Sequence, residues 1–239
     1  MKLAKGLLWA ALAVVLVGAA AFAYIYFAGG SGEPSTDLTT PTIASGSTTT
    51  SSGADPAPGT TAFVIDPARS VATFEIDEVL RGNPQTATGS TSELAGQLEF
   101  DPEDLSTVEF SQILINARTL QTDSANRDRA MRTPIVLNSA SEDFEFITFD
   151  VTSVDGLPAA ATVGEELTFT ISGDLTIKGT TNPVTFDVTA TMTDPQSLVG
   201  TATATVLRND YSIGIPNAPG VANVSDEVTI SLDFVATSA

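Results

Sequence analysis

The sequence predicts an all-β domain: a curved or closed antiparallel sheet of eight or nine strands with one short helix, preceded by a transmembrane helix and a flexible linker. Three observations carry this. Around the stretch Gly173–Thr193, Leu167, Phe169, Ile171, Leu175 and Ile177 alternate with Thr168, Thr170, Ser172, Asp174 and Thr176. After a turn expected at Lys178–Pro183, Val184, Phe186, Val188, Ala190 and Met192 alternate with Thr and Asp. Period-two alternation puts the apolar side chains on one face of a strand and the polar ones on the other. The same alternation recurs along most of the domain, and two strands this long with one apolar face must curve or close to hide it. Finally, a single segment, Asp123–Ile135, departs from the pattern and reads as a helical turn or two.

Composition excludes several function classes. The chain has 239 residues, no Cys, no His and a net charge of -19. Without Cys or His there is no thiol nucleophile, no disulfide, no zinc site of the usual kind and no imidazole base. No metal site and no cofactor are expected. The acidic balance argues against nucleic acid, which wants Lys and Arg on the binding face. It also argues against docking of the folded domain onto anionic headgroups.

Residues 1–28 open with Lys2 and Lys5, then Leu7–Ala28 run 22 residues without a charge. At about 1.5 Å per residue this spans a bilayer core of about 30 Å. Tyr24, Tyr26 and Phe27 sit at the far end, where aromatics favour the interface. Lysines before the span and Glu33 and Asp37 after it place the domain outside the cytoplasm, as a single-pass protein of the cell membrane. The alternative is a cleaved signal peptide, because Ala21-Phe22-Ala23 has the small-x-small form, giving a secreted or periplasmic domain. Residues 29–61 are rich in Ser, Thr, Gly, Pro and Ala and cannot bury enough surface to order themselves. This linker has a mean span of roughly 30 Å.

Residues 62–239 form the domain. Phe63–Ile65 reads as a short strand. Ser70–Leu80 places Ala72, Phe74, Ile76 and Leu80 on one face. Thr91–Phe100 has Leu94, Leu98 and Phe100 in phase, with Gly96 marking a bend or bulge. Thr107–Ala117 is a strand of ambiguous facing, since both parities hold apolar residues. Asp143–Val154 is another, with Ile147, Phe149 and Val151 in one phase and Phe144 and Phe146 in the other. Ser197–Leu207 alternates Ala202, Ala204 and Val206 with Thr, and Glu227–Thr237 aligns Val228, Ile230, Leu232 and Phe234. In the helical segment Ser124 or Asp123 can cap, Arg127–Met131 can wind, and Pro134 ends the helix.

Five stretches together resemble the YceI-like family of exported bacterial proteins. They are FVIDPARSVATFEI (Phe63–Ile76), LQTDSANRDRAMRTPIVLN with FEFITF (Leu120–Asn138 and Phe144–Phe149), GDLTIKGTTNPVTFDV (Gly173–Val188), LRNDYSIGI (Leu207–Ile215) and SDEVTISLDFVA (Ser225–Ala236). Where relatives commonly carry a His before the strand Ser, this chain has Arg69. The resemblance implies an eight-stranded, lipocalin-like antiparallel barrel whose apolar lumen binds a polyisoprenoid lipid such as an isoprenoid quinone. Family members can pair as homodimers, although these residues specify no interface.

An eight-stranded interior can be a packed core or a ligand tunnel. With the resemblance, the candidate lumen lining is Phe74, Ile76, Phe100, Phe149, Phe169, Ile171, Phe186, Val188, Met192, Ile230, Leu232 and Phe234. Arg127, Arg129 and Arg132 are candidate headgroup contacts at the mouth. The competing reading is an ion-paired helix, with Asp123–Arg127 and Asp128–Arg132 both at i,i+4. Arg208, Asp210 and Tyr211 read as an Arg-Asp pair closing a strand-to-loop corner, with binding or catalysis as the alternative. No catalytic residues are assigned. Glu145 and Asp150 have opposite parity, Asp174 and Asp187 fall on the polar face, and the domain holds one lysine, Lys178. The leading expectation is a lipid carrier without turnover. The alternative is a cell-surface structural or interaction module with a packed barrel.

Overall fold

A computed structural model describes Thr40 and residues 59–239. The expected anchor at 1–28 and nearly all of the linker at 29–61 lie outside the described residues.

The described chain is an antiparallel sheet, curled on itself, with one α-helix. Its strands are β1 (Thr61–Ile65), β2 (Val71–Leu80), β3 (Asn83–Thr91), β4 (Leu94–Ala95), β5 (Gln97–Asp101), β6 (Asp104–Phe110), β7 (Ile113–Asn116), β8 (Gln121–Thr122), β9 (Phe146–Asp155), β10 (Glu166–Ile177), β11 (Thr180–Asp194), β12 (Ser197–Leu207), β13 (Val221–Ala222) and β14 (Glu227–Ser238). The helix, α1, is Ala125–Met131. Pairing runs β4-β7-β9-β10-β11-β12-β14-β1-β5-β6, and β2 joins β14 to β3. Only Gly96 separates β4 from β5, so the segment Leu94–Asp101 pairs with β7 at its start and with β1 at its end. The curl therefore brings both ends of the ladder into one stretch of chain.

The expected count of eight or nine strands is corrected to fourteen. The extra strands come from interruptions within long segments. Between β6 and β7, Ser111 and Gln112 leave the ladder. The Ser111 hydroxyl accepts from the Gln97 N–H at 2.8 Å and the Ser111 N–H donates to the Gln97 carbonyl at 2.9 Å. The cavity-facing set changes there from Phe110 to Ile113 and Ile115, which is why both parities of this segment carry apolar residues. In β9 the facing is clear once Phe144 is placed in a preceding single turn, Glu142–Phe144.

The central hairpin has a tighter turn than expected. β10 and β11 pair from Ile177↔Thr180 to Glu166↔Thr191, leaving Lys178 and Gly179 as the whole turn. Both residues have positive φ, 52° and 74°, the pattern of a two-residue turn whose twist matches the strands. Pro183 is tolerated inside β11 because the ladder to β12 starts only at Asp187, where β11 gains its second neighbour. The outer face carries hydroxyl pairs across strands, Ser172–Thr185 and Thr176–Thr181, both 2.8 Å.

The interior divides along its length. One part is packed, around Phe63, Leu94, Phe100, Leu105, Met192, Leu198 and Ala236. There the Phe63 and Phe100 rings stack at 5.0 Å. Towards the other end, Leu175, Ile177, Val206 and Tyr211 form a second cluster, and Ala117, Leu120 and Met131 a third under α1.

Candidate functional site

A cavity of about 640 Å³ lies between the curled sheet, α1 and the loop following β12. Its walls are built by the period-two faces of the long strands. Phe74 and Ile76 come from β2, Phe149 from β9, Phe169 and Ile171 from β10, and Phe186 and Val188 from β11. Ile230, Leu232 and Phe234 come from β14. Phe149 and Phe186 meet edge to face at 5.0 Å. These ten expected residues all line the cavity.

Phe100 and Met192 do not. Both are buried in the packed part of the interior, Phe100 against Phe63. They share the inward face with the lining residues, but alternation reports the face and not the height along the strand.

The three expected headgroup arginines separate. Arg127 lines the cavity and its guanidinium binds Glu78 Oε1 through Nη2 at 2.8 Å and Asp123 through Nη1. Arg129 donates to the Asn126 side chain at 3.1 Å and does not line the cavity. Arg132 donates to the Arg118 carbonyl at 3.2 Å, also away from the cavity. Of the two i,i+4 pairs expected on the helix, Asp123–Arg127 forms. Asp128 instead accepts from the Thr122 N–H at 2.8 Å and hydroxyl at 2.7 Å, holding the start of α1. Arg208 closes its corner through the Ser225 and Ile213 carbonyls, at 2.9 and 3.0 Å. Its nearest carboxylate is Asp226 at 3.9 Å, in place of the expected Asp210.

Several lining residues escaped the sequence reading. Ile215, Pro216, Ala218, Pro219, Val221 and Val224 bring a loop over the cavity. Their Gly/Pro-rich run has no period, so only its apolar content hinted at an interior role. Glu78 is the sharper omission. It falls on the same parity as Ala72, Phe74 and Ile76, and is buried with Arg127 and Gln85 as partners. The break in the apolar pattern of β2 was the available signal.

Tyr211 also lines the cavity, 1% exposed, and its hydroxyl makes no hydrogen bond within the protein. Burial raises its pKa above the usual phenol value; the nearby Asn182 amide, which donates to the Asp210 carbonyl at 3.1 Å rather than bonding the phenol, opposes this, and the Asp210 charge adds to it. The phenol therefore stays protonated and can donate. A buried donor with no partner costs free energy, and this hydroxyl oxygen is sealed from the cavity space as well as from solvent.

The curled β-sheet thus encloses a largely apolar cavity, with Asp123, Ser124, Asn126 and Arg127 among its polar lining groups at the flanking helix. The profile of the YceI-like domain matches residues 63–236. The chain belongs to the YceI-like family. No curated protein sequence matches it. Among solved structures, BcnA of Burkholderia cenocepacia is similar with a TM-score of 0.56 and 20% identity, covering 72% of this chain and 99% of BcnA. A polyisoprenoid binding domain from Saccharophagus degradans, implicated in plant cell wall breakdown, is similar with a TM-score of 0.59 and 16% identity. That match covers 75% of this chain and 99% of the other. At these identities the likeness concerns the fold.

Proposed function

We propose that this chain binds a polyisoprenoid lipid, such as an isoprenoid quinone, in its internal cavity, as a sequestering or transport protein. The observation that carries this reading is the apolar cavity of about 640 Å³ inside the sheet. Membership of a binding-protein family supports it, as does the likeness to a polyisoprenoid binding domain. Affinity comes from removing the chain from water, about 0.8 kcal/mol per buried methylene before the cost of ordering. Phe74, Phe149, Phe169, Phe186 and Phe234 give broad apolar contact to a methyl-branched chain. The headgroup sits at the polar cluster of Glu78, Asp123 and Arg127 in the cavity wall.

The function is binding without turnover. Glu145, the most buried carboxylate named from the sequence, is held by Arg118 at 2.9 Å rather than facing the cavity. The domain is exported and held at the cell membrane by residues 1–28, with 29–61 as a tether that keeps it within reach of lipid.

The test is extraction of the full chain, purified from its native host, followed by mass spectrometry of the extract. A stoichiometric isoprenoid is the expected result. An empty extract, repeated after incubation with quinones and polyprenols, would overturn the reading.

A further inference from the structure

Glu78 occupies a position where the pattern of β2 calls for an apolar side chain. Ala72, Phe74 and Ile76 precede it on the cavity face, and its own side chain is 6% exposed. Removing a lone carboxylate from water costs several kcal/mol unless a counter-charge and hydrogen bonds replace the hydration. Arg127 supplies the charge from α1 at 2.8 Å, and Gln85 Nε2 donates to the same oxygen at 2.6 Å. The remaining terminal nitrogen of Arg127 is taken by Asp123. Glu78, Arg127 and Asp123 all line the cavity. The one arginine here is thus shared between two carboxylates of its own chain.

We infer that this Glu78–Arg127–Asp123 cluster makes the cavity select polyisoprenoids with a neutral oxygen headgroup, a hydroxyl or carbonyl, over phosphorylated ones. The inference rests on the carrier reading and sharpens it. A phosphate carries about -1.5 to -2 charges at neutral pH. To reach Arg127 it must displace Glu78 or Asp123, and displacing Glu78 strands a buried carboxylate beside an incoming anion. Like charges so juxtaposed disfavour binding strongly. The other cationic lining residues do not offset this. Arg81 is exposed at the β2–β3 turn, where contacts are screened, and Arg208 is committed to backbone carbonyls and lies 3.9 Å from Asp226. A neutral oxygen need displace neither carboxylate and meets no such penalty.

The test is a competition between geranylgeraniol and geranylgeranyl diphosphate, equal in chain and different in headgroup. Both are offered at equal concentration to the full chain, and occupancy is read by native mass spectrometry. The alcohol should dominate by roughly tenfold or more. In Glu78→Gln, which frees Arg127 of one carboxylate, the ratio should fall towards parity or invert. Asp123→Asn should move it less, because Asp123 is 81% exposed and its charge is already screened. Equal or preferred binding of the diphosphate by the unmodified chain overturns the inference while leaving the carrier reading intact. So does an unchanged ratio in a folded Glu78→Gln. If that variant does not fold, the ratio in the unmodified chain decides. Binding of neither lipid overturns the carrier reading, and the inference with it.

Discussion

Arg118 Nη1 lies 2.9 Å from Glu145 Oε2, and the two side chains are 6% and 4% exposed. The pair is the centre of a buried polar network. Asn116 Nδ2 donates to Glu145 Oε1 at 3.0 Å, and Arg118 Nε donates to the Ser139 carbonyl at 2.6 Å. It ties the β7 end to the turn before β9 and to the loop after α1. Removing one partner of such a pair leaves the other charge buried, at about 3–5 kcal/mol. Arg118→Ala should therefore be strongly destabilising in urea denaturation. Neither residue lines the cavity, so the folded fraction should keep its lipid stoichiometry. A loss under about 1 kcal/mol would show that Glu145 finds another partner or is neutral in the fold.

Tyr211→Phe addresses the unpartnered phenol. An unfolded tyrosine ionises near 10.0, and burial holds the folded group protonated above that. Between those two values the folded state keeps a proton that the unfolded state has released, so stability falls as pH rises. Lys178 works in the opposite sense. Its pKa is lowered from 10.5 by burial, so below 10.5 the unfolded state holds more protons and stability rises with pH. Tyr211→Phe should abolish the fall above pH 10 and leave the Lys178 rise. At neutral pH it should be neutral or stabilising by up to about 1 kcal/mol, since it removes a buried hydroxyl with no partner. Because the hydroxyl is sealed from the cavity, lipid affinity should be unchanged. A roughly tenfold drop in affinity would show that the phenol turns to meet the lipid.

The strands whose neighbours are regular were legible in the sequence. In β10, β11, β12 and β14 the alternation named the inward face correctly from end to end. It failed where the ladder slips. The Ser111–Gln112 break reverses parity within one apolar run, and no single period describes both sides of it. Alternation is also blind to height, which is why Phe100 and Met192 looked equivalent to Phe169 and Val188. Alternation also gives no account of a charged residue on the inward phase, such as Glu78, because its partner comes from a distant segment. Arg127 is 49 positions from Glu78.

Gly173 marks a bulge between β9 and β10, where the register passes from Ser172↔Ser153 to Gly173↔Val151. A Cβ on Gly173 would stand 2.3 Å from the Asp150 carbonyl oxygen and 2.7 Å from the Phe149 ring. The carbonyl belongs to the ladder and cannot swing away. Gly173→Ala should cost about 1–3 kcal/mol through the backbone shift it forces. Because Phe149 lines the cavity, the same variant should also lower lipid affinity. A melting temperature equal to that of the unmodified chain would mean that the bulge relaxes freely.

The division of the interior into a hollow and a packed part predicts opposite outcomes for the same substitution at two alanines. Ala202 on β12 lines the cavity, whereas Ala236 on β14 is fully buried among packed side chains. Ala202→Phe places a ring in open space, so it should leave stability within about 1.5 kcal/mol of the original and reduce lipid occupancy sharply. Ala236→Phe has no space to enter, since the interior there is close-packed, and should cost about 3 kcal/mol or fail to fold. Where Ala236→Phe does fold, its lipid occupancy should be unchanged. Urea denaturation and native mass spectrometry on the two variants separate the effects. Full lipid occupancy in a folded Ala202→Phe would mean that the lipid sits outside this cavity.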